Sequence, residues 1–354
     1  MARKLQVGVI GVGAIGAVHM RSYQAAGNAK VTAICDVDKD LLQARAKEFS
    51  VENCFTDYRK LLASDVEAVS VCVGNALHAE VATAALRAGK HILLEKPMAM
   101  NATQAKRIAA AGVKAKKVVQ IGMCQRQRPE TQLLREWVKA GRFGEIYHIG
   151  CCLHRRRGIP GLGGWFTTKA ASGGGPLIDL GVHWFDIAMW LSDQWQPTAV
   201  SAMTYAKFGS DMKNYTYVNM WAGPPKLKGT FDVEDYATGL VRFGNKATMT
   251  FDICWAANTA DKAYVEILGD KGGARVLDGK PLTIYTEHHG KLADIQPKFN
   301  EKENRFEVQA AKFIQACRGK CPPAATAEQG IAVMKVIDAI YASSAQGKEV
   351  KLKV

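Results

Sequence analysis

The sequence predicts two unlike domains: an N-terminal α/β domain on a doubly wound parallel sheet, and a C-terminal α+β domain on an open, mostly antiparallel sheet. Three observations carry this prediction. Short, nearly unbroken apolar runs alternate with helical periodicity over residues 1–122, the pattern of buried parallel strands covered by helices on both faces. Beyond Gly122 the runs shorten, alternate in polarity and are separated by turn residues. The 354 residues are enough for about two domains, with the division drawn at 1–122 and 123–354. That division leaves open that the extreme C-terminus packs back on the first domain.

In chain order, Leu5–Ile10 is the first strand, followed by glycines and a helical pattern through Ala26. Lys30–Cys35 is a strand, Leu41–Phe49 a helix and Tyr58–Leu62 a helical turn. Ala68–Val73 is a third strand, His78–Ala88 a helix, His91–Leu94 a fourth strand, Thr103–Ala115 a helix and Val118–Gly122 a fifth strand. In the second part, Gln132–Ala140 is a helix closed by Gly141, Ile146–Leu153 a strand, and Pro176–Leu191 a long helix. Thr216–Trp221, Tyr236–Phe243, Lys246–Cys254, Ala263–Gly269 and Gly273–Leu277 read as strands. Hairpin turns are expected at Phe243-Gly-Asn-Lys and Gly269-Asp-Lys-Gly-Gly. Glu303–Cys317 and Thr326–Ala345 read as helices, and Glu349–Val354 as an edge strand. The one long loop is Arg155–Gly175, rich in Gly, Arg and Trp, a setting suited to binding or catalysis.

Apolar residues at 48% and charged residues at 23% exclude a disordered or collagen-like chain. The net charge of +14 invites a nucleic-acid or membrane reading. However, residues 1–122 hold 17 basic and 10 acidic side chains and the remainder 30 and 23, so the excess is spread evenly. No nucleic-acid-binding motif occurs and no apolar stretch is long enough to span a membrane, so neither partner is expected. Nine irregularly spaced cysteines without a CxxC pair favour reduced thiols and a cytoplasmic protein, and no metal is expected.

Gly11-Val-Gly13-Ala14-Ile15-Gly16 closes the first strand and opens a helix. Gly11 permits the tight turn, Gly13 lets backbone approach a pyrophosphate, and Gly16 lets helix and strand pack, while the helix N-terminus offers donors to an anion. Asp36 lies 20 residues past Gly16, at the end of the second strand, placed to accept from a ribose hydroxyl. Its charge repels a 2′-phosphate, so NAD is expected in preference to NADP. Asn75 and His78 after the third strand, and Glu95-Lys96-Pro97 after the fourth, stand at the carboxyl ends of parallel strands, where such sheets bind ligands. Lys96 can serve as an acid–base group or hold a substrate hydroxyl, and Glu95 can orient it or meet the cofactor ribose.

Asp179 and His183, four apart, share one helix face if the helix begins near Pro176, with Asp186 close to it. Three readings stand: a metal pair lacking further ligands, a base with its orienting carboxylate, or a structural pair. Arg156 and Trp165, in the long loop, are candidates for substrate contact.

With these residues in view, the chain resembles the Gfo/Idh/MocA family of oxidoreductases. The resemblance covers almost the whole length and rests on Gly11–Gly16, Glu95-Lys96-Pro97, the Gly-rich Asp179…His183 segment and Val233-Glu-Asp235…Phe243. It implies a Rossmann domain followed by a substrate domain. It also implies Lys96, Asp179 and His183 as the catalytic trio, with His183 the general acid–base, and oxidation of sugar, polyol, inositol or glycoside hydroxyls. The family's open sheet packs against another subunit, implying a homodimer or homotetramer. One departure is Val73-Gly74-Asn75, where members often read Thr-Pro-Asn. Two other functions stay open: glycoside cleavage with a retained NAD through transient oxidation, and a non-catalytic dinucleotide sensor or scaffold.

Overall fold

The computed structural model describes residues 3–352 apart from 219, 245, 278–280 and 300–303. The chain forms two compact units, Met1–Arg128 with Lys302–Ile331, and Pro129–Glu301 with Ala332–Val354.

In the first unit, strands β1 (Leu5–Ile10), β2 (Ala29–Cys35), β3 (Asn53–Phe55), β4 (Ala68–Val71), β5 (His91–Leu94) and β6 (Val119–Ile121) pair in the order β3-β2-β1-β4-β5-β6, all parallel. Helices α1 (Ala14–Ala26), α2 (Lys39–Phe49), α3 (Tyr58–Leu62), α4 (His78–Arg87) and α5 (Ala102–Ala115) make the crossovers. Local chemistry sets their starts. The side chains of Asp38, Asp57 and Asn101 accept from amides in the first turns of α2, α3 and α5. One face of the sheet buries Leu5, Val7 and Tyr23 with Phe313 and Ile314 of the helix Arg305–Cys317; another cluster gathers Val9, Met20, Ile34 and Leu42. Burying a side chain such as Phe313 contributes about 1.5–3 kcal/mol, and residues 302–331 thus count with the first unit though they follow the second in sequence. The short β3 is an addition to the expected strands. The expected helix start at Glu303 and the strand end at 353–354 lie outside the described residues.

In the second unit, α6 (Pro129–Lys139) precedes β7 (Ile146–His154), α7 (Lys169–Ser172), α8 (Val182–Ser192) and strands β8 (Pro197–Tyr205), β9 (Tyr236–Phe243), β10 (Thr248–Cys254), β11 (Lys262–Gly269), β12 (Gly273–Leu277), β13 (Thr283–His288), β14 (Lys291–Ile295) and β15 (Val350–Lys351). Nine strands form one sheet in the order β14-β13-β12-β11-β7-β10-β9-β8-β15. Only β7 and β10 run parallel; the other neighbours are antiparallel. Alternation gives the sheet one apolar face, with Ile149, Cys151, Phe251, Val265 and Ile267 buried. There Phe185 of α8 meets Phe251 edge-on at 5.2 Å. Both expected hairpins form, β9–β10 and β11–β12, although Asn245 of the first turn lies outside the described residues.

The strand expected at Thr216–Trp221 does not form: its described residues belong to no strand. This stretch and its continuation serve the long loop instead, Ala222 N donating to Pro160 O (2.9 Å) and Lys226 N to Leu162 O (2.8 Å). Gly223 (φ +112°) and the two prolines after it also break strand geometry. The single helix expected from Pro176 to Leu191 opens instead with a π-helical turn, Leu177–Gly181, in which Val182 N donates to Leu177 O, five residues back.

Candidate active site

Each unit carries candidate site residues of its own. In the first, β1 runs directly into the glycine turn. Gly11 has φ +86°, and a Cβ there would stand 2.5 Å from Cys72 O, so only glycine fits beside β4. A Cβ on Gly16 would come 2.1 Å from Gly11 O. Gly13 differs, because a Cβ there would meet no atom within 4 Å: this glycine is not required by packing inside the fold. No side chain caps α1 at Gly13, so the first amides of the helix, those of Ala14, Ile15 and Gly16, remain as donors for an anion. These residues fit a dinucleotide pyrophosphate.

Asp36 follows β2. Its Oδ2 accepts from Val12 N at 2.8 Å and its Oδ1 from Asp38 N at 3.1 Å. A carboxylate has about four acceptor positions, so capacity remains for ribose hydroxyls while the charge stays fixed against the turn. Asp36→Ala is expected to weaken NAD binding by about 10- to 100-fold, the loss of a charge-assisted hydrogen bond. Calorimetric titration checks it; unchanged affinity removes Asp36 from the ribose site.

At the ends of β4 and β5 the structure draws several buried polar groups together. The His78 ring nitrogens lie 2.7 Å from Pro97 O and 3.0 Å from Val73 O, tying the Asn75 loop to the turn after β5. Burial holds the His78 pKa below its ordinary value, although both carbonyls pull it up. Asn75 is buried. Glu95 is buried too; its Oε1 lies 2.9 Å from His19 Nε2, and its Oε2 accepts from Lys96 N at 3.2 Å. His19 Nδ1 reaches Ser70 Oγ at 3.0 Å, and Ser70 in turn meets Tyr23 OH at 2.8 Å. Burial alone would lower the His19 pKa; Cys72 and Glu95 outweigh it and raise it to about 10. Burial would raise Glu95, but His19 holds it below the ordinary carboxylate range. Glu95 is therefore spent on an ion pair with His19 and on the backbone of Lys96.

In the second unit, Gly173-Gly174-Gly175 leads into the π turn that carries Asp179, and α8 follows with His183. The glycines have packing reasons. A Cβ on Gly174 would sit 1.9 Å from Tyr341 OH, and one on Gly175 would sit 1.9 Å from Glu234 O. Glu234 is buried, and its carboxylate accepts from Gly175 N (3.0 Å) and Leu177 N (3.1 Å), with Tyr341 OH donating to it at 3.0 Å. Burial pushes the Glu234 carboxyl up against the lowering pull of these donors. Asp179, 9% exposed, accepts at Oδ2 from the indole Nε1 of the fully buried Trp255, at 3.1 Å. His183 is half-buried, whereas Asp186 is almost wholly buried. Among the described residues no group of three or more His, Cys, Asp or Glu side chains is arranged to hold a metal ion.

In the long loop, the Arg156 side chain is exposed while its backbone N donates to Asp261 at 2.7 Å. Arg157 is fastened instead, donating to Arg156 O and Asn258 Oδ1 and lying 4.6 Å over Phe208. Trp165 is 44% exposed and rests on Phe166, which meets Trp221 edge-on at 5.0 Å. Sequence reasoning missed His19, Trp255 and Tyr341 and gave Glu234 no role. The only advance signal was Val233-Glu-Asp235, a motif without an assigned task.

Comparison with known proteins adds two family matches: "Oxidoreductase family, NAD-binding Rossmann fold" over residues 5–123, and the GFO/IDH/MocA C-terminal domain over residues 131–275. The chain is 33% identical to D-glucoside 3-dehydrogenase of Escherichia coli K12, across 98% of this chain and 97% of that protein. Two solved structures share the fold over the full length. One is an oxidoreductase domain protein from Kribbella flavida (TM-score 0.87, 24% identity, 100% of both chains). The other is a levoglucosan dehydrogenase in complex with NADH (TM-score 0.86, 23% identity, 99% of this chain and 100% of that one).

Proposed function

The chain belongs to the Gfo/Idh/MocA family of oxidoreductases, and from that premise we propose that His183 is the general acid–base of its reaction, with Lys96 and Asp179 completing the catalytic set. The protein is an NAD-dependent oxidoreductase acting on a hydroxyl of a sugar, polyol or glycoside. The observation that carries the residue assignment is the short segment bearing both Asp179 and His183, its carboxylate fixed by the Trp255 indole.

Bound NAD supplies the hydride acceptor. The protein does the rest. His183 takes the proton of the substrate hydroxyl, which makes loss of hydride from the same carbon easier. Asp179, held by Trp255, fixes the substrate or the imidazole. Lys96 holds the reacting oxygen and stabilises negative charge as the proton leaves. Gly11–Gly16 and Asp36 hold pyrophosphate and ribose, and the His78-anchored Asn75 loop and the Glu95-braced turn border the cofactor. Arg156 and Trp165 contact the substrate, the indole offering a flat apolar face to a sugar ring.

The polar face of the second unit's sheet, which carries Thr250, Asp252, Lys262 and Tyr264, is assigned to contact with another copy in a homodimer or homotetramer. Light scattering on the purified protein tests this; a monomer at micromolar concentration contradicts it. Nine cysteines present as thiols suit a reducing cytoplasm, and among the described residues no helix is long and apolar enough to cross a membrane.

The function is tested by recording NADH formation over a panel of sugars, inositols, sugar acids and glycosides, each with NAD and with NADP. Turnover is expected with NAD and at least one of them. Release of an aglycone without net NADH would move the assignment to glycoside cleavage with a retained cofactor.

A further inference from the structure

We propose that Glu234 and Asp235 act as a two-armed clamp on the reactive segment, with Glu234 a positioning residue that sets Asp179 and His183 for proton transfer. This rests on the assignment of those two residues above.

The first arm runs through Gly175. The Glu234 carboxylate accepts from the N–H of Gly175, and the carbonyl of the same residue accepts from the amides of Ile178 and Asp179, both at 3.1 Å. The backbone of Asp179 is thus two hydrogen bonds from Glu234. The second contact of the carboxylate, to Leu177 N, takes up a donor at the start of the π turn, where a negative charge is favourable. Tyr341 OH lies within 3.1 Å of both carboxylate oxygens and fixes the rotamer.

The second arm runs through Trp255. Its backbone N donates to Asp235 O at 2.9 Å, and its indole donates to Asp179 Oδ2. Asp235 is itself pinned: its carboxylate accepts from the amides of Lys207, Phe208 and Gly209. Adjacent residues thus hold Asp179 by its backbone on one side and by its carboxylate on the other. A π turn lacks the regular i→i+4 ladder of an α-helix, so outside partners carry more of the burden of fixing where His183 points.

The test uses Glu234→Gln and Tyr341→Phe in the full-length protein, with a substrate accepted in the panel. Gln keeps the size but turns an NH₂ group toward one of two amide donors; Phe removes only the brace. Turnover is expressed per NAD-binding site, so that misfolded protein does not count. Glu234→Gln is expected to lower kcat by about 10- to 100-fold with NAD affinity unchanged, as misplacement of a reacting group does. It is also expected to speed amide hydrogen exchange across Leu177–Gly181. Tyr341→Phe should show a smaller drop of the same kind. Wild-type kcat per site in Glu234→Gln, or unchanged exchange in that stretch, overturns the clamp. His183→Ala is run in parallel: wild-type turnover there overturns the assignment of the segment itself, whatever Glu234→Gln does.

Discussion

His183→Ala is expected to lower kcat by about 10²–10⁴-fold, the contribution of a positioned acid–base group, while NAD affinity is unchanged. The separation follows from the architecture. The glycine turn and the Val12–Asp36 hydrogen bond belong to the first unit and His183 to α8 of the second, so removing the imidazole leaves the glycine turn and the Asp36 carboxylate as they are. His183→Asn, which keeps a polar group but cannot exchange a proton near neutral pH, should be as slow as Ala. If hydride transfer is slowed selectively, carbon-deuterated substrate should also give the variant a primary isotope effect at least as large as that of the wild type. Equal losses in turnover and NAD binding would remove the residue from the base role.

The second large effect is on stability. His19→Leu leaves Glu95 charged, buried and without its counter-ion, which should cost about 3–5 kcal/mol. Urea unfolding at constant m-value measures it. The double change His19→Leu with Glu95→Leu should recover part of this loss, because an apolar pair avoids the unpaired charge. The pair also sets a pH dependence. His19 is raised from 6.5 to about 10, so its share of stability is complete below pH 6.5 and disappears as pH rises through about 10. Glu95 is lowered from 4.5, so its share is present above pH 4.5 and disappears as pH falls through the depressed value. The stability gap between wild type and His19→Leu should therefore be widest between about pH 4.5 and 6.5 and narrow towards pH 10. A gap that widens above pH 8 would contradict the ion pair.

These groups differ in how far the sequence could reveal them. The parallel sheet and the glycine turn were legible because their signals are local. Gly11, Gly13 and Gly16 sit at fixed spacing after a strand, and each spacing has a steric meaning that the backbone geometry bears out at Gly11 and Gly16. His19 lies three residues past Gly16, but its meaning depends on Glu95, 76 residues away. Glu234 reaches Leu177 across 57 residues and Tyr341 across 107. No periodicity or spacing rule connects residues so far apart; the fold brings them together, with Tyr341 carried on the helix Ala327–Gln346. The π turn was invisible for a different reason. Leu177–Gly181 carries ordinary helix-compatible residues, and propensity does not separate a π turn from an α turn. Thr216–Trp221 misled in the opposite direction: its residues favour a strand, but the chain around it bonds to the long loop through Ala222 and Lys226.

Oxidation of a carbohydrate hydroxyl with NAD, with His183 as base, has a direct kinetic signature. The most direct measurement is stopped-flow recording of NADH absorbance and fluorescence after mixing NAD-loaded enzyme with each member of the sugar, polyol and glycoside panel, wild type beside His183→Ala. A rapid rise in enzyme-bound NADH is expected with at least one compound, lost or slowed by orders of magnitude in the variant. NAD binding without any NADH signal across the panel, or an equal signal from both proteins, would contradict it.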